Sequence, residues 1–91
     1  MIATSQARTG CAGEVEAALR ALLVPTRAED GCEEYLLYRE LARADRFFML
    51  ERWHEDAALT RHPATPRRET LRERLEGCVE QLSVARLQRI E

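Results

Sequence analysis

Two apolar runs, residues 33–41 and 46–53, are joined by only four residues, and this pairing limits the fold more than any other feature. Both runs are rich in Tyr, Leu and Phe. The spacer Ala42-Arg43-Ala44-Asp45 has the length of a hairpin connection. Side chains in a strand point alternately to opposite faces. Phe47, Met49 and Trp53 therefore share one face of the second run, with Phe48 and Leu50 on the other. The first run repeats the pattern, Tyr35 and Leu37 against Leu36 and Tyr38. Both faces of this hairpin are apolar, whereas an antiparallel sheet with helices on one side should leave its other side polar. The uncovered face calls for a second subunit, so a homodimer with sheets packed face to face is expected.

The flanking segments supply the other elements. Residues 2–8 alternate weakly and read as a first strand, followed by a turn at Thr9-Gly10-Cys11-Ala12-Gly13. Val15, Leu19, Leu22 and Leu23 then recur at helical spacing. Pro25 should kink or tighten this helix, because it lacks an N–H and crowds the carbonyl four residues back. Gly31 provides a stop. Residues 55–62 read as a short helix ended by Pro63. Thr65 then reads as an N-cap with Pro66 at the first helical position. Leu71, Leu75, Cys78 and Val79 make the apolar stripe of the next helix, and residues 82–90 a last strand. The order β-α-β-β-α-β predicts an α+β, ferredoxin-like fold with a four-stranded antiparallel sheet, in one domain over residues 1–91.

Composition removes several function classes. The formal charge is −2, which gives no net field toward nucleic acid or an anionic membrane. The run Arg67-Arg68-Glu69-Thr70-Leu71-Arg72-Glu73-Arg74 interleaves acids and bases at helical contact spacing, the pattern of a solvated helix face. No apolar run approaches the ~20 residues that span a bilayer, and the first residues lack the blocks of a signal peptide. A cytoplasmic protein is expected. All 14 basic side chains are Arg, so no Schiff-base or P-loop lysine exists. Cys11, Cys32 and Cys78 are odd in number and widely spaced, which argues against a disulfide framework or zinc site. Cys32 and Cys78 read as small core residues, and Cys11 as a loop thiol.

The chemistry-bearing candidates gather after the second run of the hairpin. The only Trp, Trp53, ends that run, and His62, one of two histidines, follows nine residues later. A strand handing over to a short helix can aim both into one space. An indole beside an imidazole suits a flat organic molecule. In most chains a lone Trp is a core plug, and a histidine before a proline break is a surface or capping residue. Glu51 shares the face of Trp53. If it points inward it needs a partner, because a lone buried carboxylate is costly. A pairing arginine is the plainer role for it, acid-base work the sharper one. His54 is expected to face water.

The residues Pro25-Thr26-Arg27-Ala28-Glu29-Asp30-Gly31-Cys32, Tyr35, Tyr38-Arg39, Phe47, Glu51-Arg52-Trp53, Ala58-Leu59, His62 and Thr65-Pro66 together resemble the antibiotic biosynthesis monooxygenase (ABM) family. That family includes small quinol monooxygenases. The resemblance covers nearly the whole chain and implies a dimeric α+β barrel. It implies oxidation of a quinol or related hydroxyarene by dioxygen with no cofactor: no flavin, haem or metal. It further implies a cavity between helices and sheet, with Trp53 as aromatic wall, His62 as proton handler, and Glu51, Met49, Tyr35 and Arg67 as substrate contacts. The partners implied are a small aromatic substrate, dioxygen and a second copy of the chain, with no nucleic acid and no membrane.

Two departures refine this picture. The chain has no Asn, whereas haem-degrading relatives pair an Asn with the Trp, so haem degradation is not expected. Many relatives carry a His and a Phe just after the Thr-Pro, where this chain has Arg67 and Arg68. That suits a substrate bearing a carboxylate or phosphate. Two other classes fit the same residues: an isomerase or tautomerase acting on a small, in some relatives phosphorylated, carbonyl compound, and a non-catalytic small-molecule binding module.

Overall fold

A computed structural model describes residues 1–54 and 66–91, with side chains from residue 69 in the second span. The elements are β1 (Ile2–Ala7), α1 (Ala12–Arg20), α2 (Leu23–Arg27), β2 (Cys32–Arg39), β3 (Arg46–Trp53), α3 (Pro66–Leu75) and β4 (Val79–Ala85). The four strands form one sheet in the order β2-β3-β1-β4, with every neighbouring pair antiparallel. This is the ferredoxin-like arrangement. The expected helix over residues 55–62 and the Thr65 cap lie outside the described residues.

Helix α1 forms because Val15, Ala18 and Leu19 fall on one stripe and are buried, with Glu14 in the first turn and Arg20 in the last, each matched to the helix dipole. The helix does not run on to Gly31. It caps at Ala21, which lies four residues before Pro25, where the proline ring crowds the carbonyl. The chain resumes helix in α2 with Pro25 inside it. Gly31 then takes φ +85°, a left-handed conformation open to glycine at little cost. Its carbonyl accepts from the His54 backbone N–H at 2.6 Å, which ties the end of β3 to the start of β2.

Register settles which sheet face meets the helices. Tyr35 and Glu51, Leu37 and Met49, and Arg39 and Phe47 are cross-strand partners. On this face Tyr35, Phe47 and Met49 are buried against Val15, Ala18, Leu19 and Leu22 of the helical layer. Each such side chain contributes about 1.5–3 kcal/mol through removal from water. The opposite face carries two apolar rows. One joins Leu36, Leu50 and Ile2, and the other joins Tyr38, Phe48 and Thr4. Phe48 and Leu50 are only half-buried and Tyr38 is exposed.

Two sequence expectations need correction. The stripe assigned to one helix is split, because α3 stops at Leu75 and Gly77 adopts φ +83° just after it. Cys78 therefore sits in the turn, donating its N–H to the Leu75 carbonyl at 2.9 Å, and Val79 opens β4. Glycine past a helix end is a common stop signal. The last strand covers Val79–Ala85, not residues 82–90. Ala85 pairs with Ile2, the first residue of β1, so the partner strand ends there.

Candidate functional site

The site is built at the end of the sheet where β3 finishes. Glu51 and Trp53 are alternate residues of one strand, so both project to the helix-covered face. Glu51 does point inward, at 4% exposure. The Trp53 Nε1–H donates to Glu51 Oε1 at 3.0 Å. This charge-assisted bond fixes the plane of a half-buried indole. The Glu51 backbone is itself held, with its N–H donating to the Met1 carbonyl and its carbonyl accepting from the Met1 nitrogen, both at 2.8 Å.

A β-bulge adjoins this pair. Cys32 lies opposite Trp53 and Glu34 opposite Arg52, which leaves Glu33 as the extra residue. Glu33 and Glu34 both reach Arg52, at 2.8 and 3.4 Å. These contacts are solvent-exposed and contribute about 0–1 kcal/mol each. The bulge sets the strand end rather than stabilising it.

Tyr35 faces Glu51 across the ladder and is fully buried, and Met49 is buried one step inward. The Arg27 Nε–H donates to the Tyr35 carbonyl at 2.9 Å, which brings a guanidinium from α2 to the same end. Glu51 and Trp53 border an open cleft of about 510 Å³ at this strand end, together with Glu34, Leu50 and Arg52 from the helix-free face and residues 87–89. Small-molecule pockets commonly enclose about 300–1,000 Å³. His54 is exposed, as expected. Tyr35, Met49, Glu51 and Trp53 share the helix-covered face of the sheet, and of these Glu51 and Trp53 border the cleft. His62 and the Arg67 side chain lie outside the described residues.

The sequence reading missed Arg27 and Cys32 as neighbours of this face. The position of Cys32 directly after Gly31, at a strand start, was the available signal. Burial pushes the Cys32 thiol up from its ordinary value, with Glu29 and Glu51 adding to the rise and Arg27 opposing it. A raised thiol holds less thiolate at any given pH, and thiolate is the reactive form. Cys32 should therefore alkylate more slowly with iodoacetamide at mildly alkaline pH than a free thiol. Glu51→Gln should speed the reaction and Arg27→Gln should slow it further. Peptide mass spectrometry of timed samples checks the order, and reversed effects of the two variants would contradict it.

The comparisons with known proteins agree with this architecture. The family model for antibiotic biosynthesis monooxygenase matches residues 1–74. A Mycobacterium tuberculosis protein named "Putative monooxygenase Rv0793" is 38% identical over 66 residues, a match covering 72% of this chain and 64% of that protein. The chain thus spans under two thirds of that relative's length. Among solved structures, PA3566 from Pseudomonas aeruginosa is 37% identical with a TM-score of 0.94, covering 99% of this chain and 91% of that one. A protein from Deinococcus radiodurans, called a "putative antibiotic biosynthesis monooxygenase", is 26% identical with a TM-score of 0.86, covering 99% of this chain and 93% of that one. The strand order, the Trp-bearing end of β3 and a family match over most of the residues lead to one assignment: the chain belongs to the antibiotic biosynthesis monooxygenase family.

Proposed function

We propose that this protein is a homodimeric, cofactor-independent monooxygenase of a quinol or related hydroxyarene. The observation that carries the reading is the Glu51-anchored indole of Trp53, an aromatic surface that borders an open cleft of ligand size. The chain runs from His54 straight into the segment bearing His62, which would take the phenolic proton. Deprotonation makes the arene electron-rich enough to reduce dioxygen. One oxygen atom forms a new C–O bond on the ring carbon, replacing its C–H bond, and the other leaves as water. The two electrons of the quinol balance that water, so no further reductant is required. Positioning and proton removal are the protein's whole task. Arg67 would meet an anionic group on the substrate. A cytoplasmic location belongs to the same reading. Among the described residues, no helix is long and apolar enough to cross a membrane.

The direct experiment is oxygen uptake by chelator-treated protein supplied with a dihydroxynaphthalene. Uptake above the spontaneous rate supports the reading. No uptake across a panel of hydroxyarenes removes it.

The homodimer rests on the helix-free face of the sheet. The apolar rows Leu36–Leu50–Ile2 and Tyr38–Phe48–Thr4 would pack against their copies in a partner. Leu50→Asp should place a carboxylate in that interface and shift the protein to monomer at micromolar concentration. Sedimentation equilibrium checks this. A wild-type protein that sediments as a monomer would remove the dimer.

A further inference from the structure

The end of the sheet away from Trp53 gathers three metal-ligating side chains that the proposed oxidation does not use. Cys11 is the N-cap residue of α1, Glu14 lies in its first turn, and Cys78 sits in the turn between α3 and β4. Backbone bonds hold the three in place. The Arg8 N–H donates to the Cys78 carbonyl at 2.8 Å, and the Cys11 N–H donates to the Arg8 carbonyl at 2.9 Å. The Cys78 thiol donates to Glu14 Oε2 at 3.0 Å. The two sulfurs and a Glu14 carboxylate oxygen all lie within 4.8 Å of one another.

We propose that Cys11, Glu14 and Cys78 form a binding site for a divalent, borderline-soft cation of the zinc class, with water as fourth ligand. A tetrahedral zinc site with Zn–S of about 2.3 Å and Zn–O of about 2.1 Å has ligand–ligand edges of about 3.6–3.8 Å. The Cys78–Glu14 edge is 3.0 Å and every edge is within 4.8 Å, so side-chain rotations of about an ångström would close the site. Two thiolates select zinc-like ions over magnesium or calcium. Cys11 and Cys78 are half-buried and Glu14 is exposed, which leaves a path for the ion and room for a water. The three ligands carry formal charge −3 against +2 for the ion. The residual negative charge lies at the start of α1, where the helix dipole favours it.

On binding, two Zn–S bonds form as both S–H bonds break, and the protons pass to buffer. No oxidation state changes. Without metal, the Cys78 S–H is held on Glu14 Oε2. The metal would take the place of that shared proton between two of its ligands. It would clip the start of α1 to the start of β4 and stabilise the fold through linkage.

A disulfide between Cys11 and Cys78 is the rival use of the same sulfurs, and it leaves Glu14 without a role. The test uses the full chain, reduced and stripped with chelator, titrated with Co²⁺ and then Zn²⁺. The expected result is a thiolate-to-cobalt charge-transfer band that saturates at a single ion per chain and is erased by Zn²⁺. A rise in melting temperature with Zn²⁺ should accompany it. Cys11→Ser and Cys78→Ser should each lose the band, Glu14→Gln should weaken it, and Cys32→Ser should keep it. Circular dichroism confirms that each variant is folded. The absence of a band in the wild-type protein overturns the site, as does a band that survives Cys78→Ser or is lost in Cys32→Ser. A Cys11–Cys78 disulfide in protein purified without reductant, with no band after reduction, overturns it as well.

Discussion

Alanine in place of His62 is expected to slow dihydroxynaphthalene oxidation by about a hundredfold to ten-thousandfold, the usual contribution of a positioned general base. The effect should fall on kcat, with KM little changed, because Trp53 and the cleft beside it still bind the arene. Only one side chain is removed, so the dimer and its circular dichroism spectrum should be unaltered. Stopped-flow measurement of quinone formation, with oxygen uptake alongside, gives the number. A folded His62→Ala protein with full kcat would move the proton transfer to another group. The next candidate is then Glu51, the buried carboxylate already bordering this cleft.

Trp53→Ala should lower stability by about 3–5 kcal/mol. A fully buried Trp→Ala costs about 3–5 kcal/mol through lost contacts and a cavity. Trp53 is half-buried, so that part is smaller, but the change also takes the indole donor from a buried carboxylate, which costs about 1–3 kcal/mol. Trp53→Phe helps separate the two causes, since it keeps an aromatic ring against the cleft while removing the N–H and part of the indole's bulk. It should cost about 1–3 kcal/mol and retain more turnover than Trp53→Ala. A double-mutant cycle with Glu51→Gln isolates the Trp–Glu coupling. Urea unfolding supplies all the values. Equal stability for the Ala and Phe variants would mean that the ring contributes no packing.

The hairpin was legible because its signal is local. Residues 46–53 carry alternation, aromatic content and a short connection, and β3 occupies those same positions. The apolar character of both sheet faces was equally plain. Which face turns to the helices was not, because that depends on pairing with β1 and on the burial of Val15 and Leu19. The end of α3 was misread although Gly77 announced it, because Cys78 and Val79 continued the apolar spacing. The end of β4 was set by its partner: Ile2 begins β1, and no sequence pattern near residue 85 reports that.

The site divides in the same way. Trp53 and Glu51 stand out as a rare aromatic and an acid sharing one face of a strand. The hydrogen bond between them and the approach of Arg27 through the Tyr35 carbonyl needed the fold. The meeting of Cys11 with Cys78 was invisible for the same reason. Their spacing matches no ligand motif, and they come together because β1 pairs with β4, which carries the turns that follow β1 and precede β4 to one end of the sheet.

Incorporation of labelled oxygen tests the proposed reaction most directly. Chelator-treated protein is mixed with a dihydroxynaphthalene under ¹⁸O₂, and the product is analysed by mass spectrometry at once, before carbonyl exchange with water. A cofactor-independent monooxygenase should place a single ¹⁸O atom in the hydroxyquinone and send the other to water, at a rate that falls in the His62→Ala protein. A quinone without label, accompanied by hydrogen peroxide, would show electron transfer without oxygen insertion and contradict the proposal.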